Sequence, residues 1–287
     1  MAGTKVKHAV IMAAGISSRL APLSFETPKA LLEVKGEILI ERQIGQLLTA
    51  GIEDIIVVTG YKAEMFDYLP EKFPVTLIHN AEYDTRNNNG SLYVAKDYLA
   101  QSYICSADNY FSINPFESQV DKAYYAVSYA DGETDEWCVE TDQDGYITGV
   151  TIGGRNEWYM LGHVFFDQTF ADTFLDILLS NYERDDYRPL LWESIYLRHL
   201  DRLFMKTRQY QPGEIFEFDT LDDLRRFDPS YLNDSRSTIL QQVAAEHGCL
   251  ERDITDTAPL FDTAGRVNGF SYRLNGAHYH HLYGSER

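Results

Sequence analysis

Basic residues are scarce in this 287-residue chain: 25 Lys and Arg stand against 44 Asp and Glu, a formal charge of −19. That balance excludes a broad basic face for nucleic acid and a polybasic membrane anchor. A phosphate-rich ligand would have to be met by a few placed cations or a divalent metal. Cysteine is scarce too. Cys105, Cys138 and Cys249 are odd in number and far apart, which leaves no CxxC zinc pattern and no disulfide framework and points to a reduced cytoplasm. Long apolar runs are missing. The first, Ala9 to Ala14, is too short for a secretory core, and no stretch reaches the ~18 residues that span a bilayer. Repeats and low-complexity segments are absent as well. The expectation is a soluble cytoplasmic protein with no membrane insertion and no nucleic-acid partner.

What is present is enough for an ordered core: 44% apolar residues, 13% of the chain aromatic. Ala9-Val10-Ile11-Met12-Ala13-Ala14, Asp54 to Gly60, Val75 to Ile78 and Tyr103 to Cys105 are short apolar runs bounded by turn residues, the pattern of strands covered on both faces. Between the first two, Ile40, Ile44, Leu47 and Leu48 keep helical spacing up to Gly51, and Leu92 to Leu99 also reads as a helix. This alternation predicts an α/β fold, a mostly parallel central sheet with helices on both faces. After residue 115 the pattern changes. Ala123 to Tyr129, Glu136 to Glu140 and Tyr146 to Ile152 read as strands, helices return near Phe170 and after Pro189, and Leu203 to Arg208 and Glu214 to Phe218 read as strands. Thr220 with Asp223 resembles a capping box. A boundary near Asp228-Pro229 divides the chain into a catalytic domain, 1–228, and a small C-terminal extension, 229–287.

The first strand opens into Ala13-Ala14-Gly15-Ile16-Ser17-Ser18-Arg19-Leu20, followed by Thr27-Pro28-Lys29-Ala30-Leu31. A glycine and small hydroxyl residues after a strand let backbone N–H groups approach phosphates closely. Arg19 and Lys29 supply the local positive charge. The loop matches neither GxGxxG nor GxxxxGK[ST]. Asp108, just after the fourth apolar run, lies where α/β sheets place ligands, and a carboxylate there can hold Mg²⁺ against a triphosphate. Glu217 and Asp219, at i and i+2, would share one strand face.

AAGISSRLAPLSFETPKALLEV, residues 13 to 34, resembles the AAGxGxRLxPLTxxxPKALxxV pattern of the nucleotidyltransferase family, which activates phosphorylated small molecules with NTPs. The departure is Ser17 at the second glycine, which suits the loop where φ is negative. Asn80-Ala81-Glu82-Tyr83, Asn87-Asn88-Asn89-Gly90-Ser91-Leu92-Tyr93, Ala107-Asp108-Asn109-Tyr110 and Asp135-Glu136-Trp137 narrow the resemblance to the CTP:phosphocholine cytidylyltransferase branch. It covers roughly residues 8 to 228 and implies a Rossmann-like nucleotidyltransferase fold. It further implies a transferase that moves CMP from CTP to phosphocholine, giving CDP-choline and pyrophosphate. Alternatives are the same reaction on 2-aminoethylphosphonate or phosphoethanolamine, a sugar-1-phosphate nucleotidyltransferase, and, outside enzymes, a nucleotide-sensing module.

The resemblance assigns Lys29 and Arg19 to catalysis, and Ala13, Ala14, Gly15, Ser17, Ser18, Arg19 and Asn88 to the nucleotide. Asp108, Glu217 and Asp219 are assigned to Mg²⁺, and Glu136, Trp137 and Trp192 to the acceptor. The plainer alternatives are a turn for Asn87 and Asn88, core packing for Trp192, and a helix cap for Asp219. Leu191 stands where the phosphocholine branch can carry tyrosine. The extension faintly resembles the start of a choline-kinase-like lobe at Gly265-Arg266-Val267-Asn268-Gly269-Phe270. No kinase loops follow, which leaves a degenerate fragment packed on the catalytic domain or a dimerisation element, with a homodimer as the protein partner.

Overall fold

The run Ala9-Val10-Ile11 has no polar side to turn to water. In the structure, a computed structural model that describes residues 3–284, it forms the centre of β1 (His8–Ala13), with all three residues fully buried. α1 (Leu39–Thr49) buries Ile40, Ile44 and Leu47 along one stripe. It ends at Gly51, φ 81°, where the Ile52 N–H donates back to the Leu47 carbonyl at 3.0 Å. β2 (Asp54–Thr59) and β3 (Val75–His79) follow on one side of β1, each parallel to its neighbour. The chain returns through α2 (Asn89–Val94) to β4 (Ser102–Ser106), parallel to β1 on its other side. The winding therefore reverses between β1 and β4, the point at which open α/β sheets keep a ligand crevice.

The sheet then becomes antiparallel. Next come β5 (Asn109–Phe111), β6 (Tyr124–Tyr129), the hairpin of β7 (Glu133–Thr141) and β8 (Ile147–Arg155), and β9 (Trp158–Phe166). They are followed by α3 (Gln168–Asn181), α4 (Trp192–Leu197), β10 (Lys206–Tyr210) and β11 (Ile215–Glu217). β9 pairs antiparallel with β4, β6 and β7, and β10 lies parallel to β6. The nine-stranded sheet is thus mixed: parallel at β3-β2-β1-β4, as the apolar runs predict, and antiparallel where β9 joins. β9 was not foreseen, because Gly162 and His163 interrupt its apolar pattern. Gly162 has φ 105° beside a register shift, and a Cβ there would lie 2.9 Å from the Ile215 Cδ1. His163 is fully buried, bonds the Tyr124 hydroxyl at 2.8 Å and is kept neutral by desolvation, which lowers its pKa to about 3.

The chain divides into two compact units, one holding the chain up to Gly15 with Ile40–Glu217, the other Ile16–Leu39 with the chain from Phe218 onward. Everything described so far except Leu39 belongs to the first. In the second, α5 (Leu221–Phe227) starts with the expected capping box of Thr220 and Asp223. α6 (Thr238–His247) buries Leu240, Val243 and Ala244 and stops at Gly248. β12 (Thr255–Phe261), β13 (Val267–Leu274) and β14 (Ala277–Leu282) form an antiparallel sheet. Arg225 ties α5 to this part of the chain, donating to the carbonyls of Ile254 at 2.6 Å and Glu251 at 2.7 Å. The boundary expected at Asp228-Pro229 falls inside this unit, where the Asp228 carboxylate accepts from the Lys35 N–H at 2.7 Å. No helix among the described residues is long and apolar enough to cross a membrane.

Candidate active site

Ala13, Ala14 and Gly15 leave the carboxyl end of β1. The Ala14 carbonyl is held by the Tyr61 N–H at 3.1 Å. Gly60 leaves room for this turn: a Cβ there would lie 2.6 Å from the Tyr83 Cβ and 2.9 Å from the Ala14 Cβ. One strand over, the Ala107 N–H donates to the Met12 carbonyl at 3.2 Å, so Asp108 emerges at the same edge. β11 pairs antiparallel with β5 and sets Glu217 opposite Asn109, next to Asp108 in the chain. Asp108 is half-buried and Glu217 exposed. β11 ends at Glu217, so the strand face it was expected to share with Asp219 does not form.

The asparagine triplet is more than a turn. Asn87 Nδ2 donates to the Pro189 carbonyl at 3.2 Å, and the Asn89 amide donates to the carbonyls of Tyr187, Arg188 and Leu190. Asn88 uses both ends of its amide: Oδ1 accepts from the Trp192 N–H at 2.7 Å, and Nδ2 donates to the Glu193 carboxylate at 3.1 Å. The triplet thereby fixes the start of α4. Trp192 is 1% exposed and lies in the core, stacked on Tyr125 at 5.9 Å and edge-on to Phe166 and Phe174.

Glu193 and Tyr125, which sequence reasoning missed, form the polar centre beside it, with the Tyr125 hydroxyl 3.4 Å from the Glu193 carboxylate. Burial pushes Glu193 up to about 7, against hydrogen bonds from its own backbone, Asn88 and Tyr125. Burial also raises the Tyr125 phenol well above its usual range, and the carboxylates of Glu193, Glu217 and Asp108 raise it further. Tyr159 is raised by burial and by Glu136 and Glu217. Trp137 is half-buried against the same core, and Glu136 is exposed. One signal was available in the sequence: Glu193 follows a tryptophan at a helix start.

In the second unit, Ser18–Leu20 forms a single 3₁₀ turn after Ser17, whose φ is 52° and ψ 45°. The negative φ expected of this serine is therefore not found: it occupies the left-handed region, which a glycine enters without strain. Lys29 is buried and its Nζ lies 3.2 Å from one Asp219 oxygen, while Arg19, largely exposed, lies 2.9 Å from the other. Asp219 does not cap α5. Thr220 does so, with Asp223 accepting from the Thr220 N–H at 2.8 Å. Among the described residues no group of three or more His, Cys, Asp or Glu is arranged to hold a metal by itself.

The profile of the MobA-like NTP transferase domain matches residues 9–131. The choline-phosphate cytidylyltransferase of Streptococcus pneumoniae is 33% identical over 227 residues, 79% of this chain and 99% of that one. The 2-aminoethylphosphonate cytidylyltransferase of Lancefieldella rimae is 35% identical over 229 residues, 78% of this chain and 93% of that one. The solved structure of the CTP:phosphocholine cytidylyltransferase from S. pneumoniae superposes with a TM-score of 0.75, again covering 79% and 99%. A thymidylyltransferase from Bacillus anthracis, 19% identical with a TM-score of 0.63, shares the fold. With the reversal of winding between β1 and β4, the motif over residues 13–34 and these relatives in agreement, the chain belongs to the nucleotidyltransferase family, as a cytidylyltransferase-type enzyme.

Proposed function

We propose that the chain transfers CMP from CTP to phosphocholine, releasing pyrophosphate. The observation that carries the acceptor half of this reading is the Tyr125 hydroxyl 3.4 Å from the Glu193 carboxylate, in the core cluster against which Trp137 packs. A cationic headgroup gains from clustered carboxylates and from aromatic faces. Lys29 and Arg19 would neutralise the triphosphate, and the backbone of Ala13 to Ser18 would cradle it. A phosphomonoester is ionised near neutral pH, its second pKa being ~6, so its oxygen can attack the α-phosphorus without a general base. Catalysis then reduces to alignment and charge neutralisation.

Mg²⁺ is the metal we propose. The oxygen donors Asp108, Glu217 and Asp219 suit a hard cation. No three of them need converge for this, because Mg²⁺ arriving with the nucleotide takes one or two carboxylates and completes its shell with phosphate and water. When bound it would neutralise charge developing on the leaving pyrophosphate. Asp219, now paired with Lys29 and Arg19, would exchange those partners when the triphosphate supplies them with anions. The three free cysteines fit a reduced cytoplasm.

A second reading, 2-aminoethylphosphonate or phosphoethanolamine as acceptor, is favoured by one feature. Trp192 is part of the core, and Glu193 with Tyr125 presents oxygens that a primary amine can donate to. Pyrophosphate release with CTP, Mg²⁺ and each acceptor decides between them. Phosphocholine should turn over fastest. Faster turnover of 2-aminoethylphosphonate would establish the second reading, and turnover with glucose-1-phosphate alone would overturn both.

A further inference from the structure

The extension is not a separate appendage. Its residues pack onto Ile16–Leu39, the segment that carries Arg19 and Lys29, and the two form one unit. β12 packs on the Ser18–Leu20 turn. Tyr283 stacks on Phe25 with centroids 3.8 Å apart, and the Tyr231 hydroxyl donates to the Glu33 carbonyl at 2.8 Å. The joint nearest the phosphate lysine is Glu26, three residues before Lys29. Its carboxylate accepts from the Thr238 N–H at 2.9 Å and from the hydroxyls of Ser237 and Thr238, at the N-terminus of the ten-residue α6. Ser237 caps the same helix from within, accepting from the Leu240 N–H at 3.1 Å. An anionic side chain at a helix N-terminus meets free N–H donors and the positive end of the helix dipole. About a fifth of this chain has no counterpart in the S. pneumoniae relative, which is matched over 99% of its own length.

We propose that the C-terminal extension is a positioning element for the phosphate-binding segment, and that Glu26 on α6 is its joint. This rests on the nucleotide reading of Arg19 and Lys29. A segment held in its binding-competent form by a second piece of chain binds ligand more tightly, because apparent affinity scales with the competent fraction. Glu26 touches neither reacting group, so its loss should act on the nucleotide and leave the acceptor alone.

The test is calorimetric titration of CTP with Mg²⁺ and no acceptor, on the full chain. Glu26→Ala should weaken CTP binding roughly 10-fold, the loss of about one helix cap's worth of order. The acceptor KM and the kcat at saturating CTP should stay within twofold, and amide exchange over residues 17–32 should rise. Glu26→Gln, which keeps an accepting oxygen, should restore part of the affinity. Ser237→Ala with Thr238→Val removes both hydroxyl donors from the extension's side, leaving the Thr238 N–H, and should reproduce part of the CTP defect should Glu26→Ala not fold. Lowered thermal stability with unchanged CTP affinity in these variants would make the contact merely structural and overturn the proposal. A wild-type chain that binds no CTP would instead overturn the nucleotide reading beneath it.

Discussion

Replacing Glu193 with glutamine should make the protein more stable and a poorer binder of cationic acceptor. Glu193 is only partly exposed, and desolvation raises its pKa from the ordinary 4.5 to about 7. The sign follows from proton counts. Between those two values the folded protein keeps a proton that the unfolded chain has released, so stability falls as pH rises through that window. Above 7 the full penalty is present, about 3 kcal/mol. Glutamine can still accept from Asn88 Nδ2 or Tyr125 and carries no charge. In urea unfolding without ligands, Glu193→Gln should match wild type near pH 4.5 and exceed it by that amount at pH 8. The same carboxylate should attract the acceptor only when ionised. Wild-type acceptor KM should therefore rise as pH falls below 7, beyond the change caused by the acceptor phosphate, and Glu193→Gln should lose that extra dependence. A variant no more stable at pH 8 than at pH 4.5, relative to wild type, would refute the reasoning.

Other expectations are simpler. Asp108→Ala should cut kcat by orders of magnitude with circular dichroism unchanged, and EDTA should do the same to wild type in the pyrophosphate-release assay; near-normal turnover would remove Asp108 from the site. Trp137→Ala should raise the phosphocholine KM roughly 10-fold, equivalent to ~1.4 kcal/mol, and leave CTP affinity unchanged. Ser17→Gly should relieve the left-handed strain and stabilise the chain by a few tenths to about 1 kcal/mol in urea unfolding, with activity retained. Arg225→Met should destabilise by about 3 kcal/mol, because it leaves the buried carbonyls of Ile254 and Glu251 without their donor.

The segments expected to carry the site were legible as a loop and a strand end because their signals are local. The loop from Ala13 to Lys29 is read from one continuous segment, and Asp108 from its place after a strand. Glu193 and Tyr125 were not legible, since 68 residues separate them and only the fixing of α4 by Asn88 brings the carboxylate to the hydroxyl. Trp192 was assigned to the acceptor with core packing as the alternative, and the structure sets it among Tyr125, Phe166 and Phe174. Asp219 was placed on a strand with Glu217 by spacing alone, whereas the strand ends first and its carboxylate turns to Lys29 and Arg19.

From the sequence by itself came the parallel strands β1 to β4, the capping box at Thr220, the stop of α1 at Gly51 and the family. Each depends on hydrophobic periodicity or on side chains within a few residues of the backbone they act on. The tertiary structure alone decided that β9 joins the sheet as an antiparallel strand despite Gly162 and His163, and that residues 16–39 form one unit with the extension. Those outcomes depend on burial and hydrogen bonds between segments up to about two hundred residues apart, such as Glu26 with Thr238, and no local pattern encodes which distant partner satisfies a buried group.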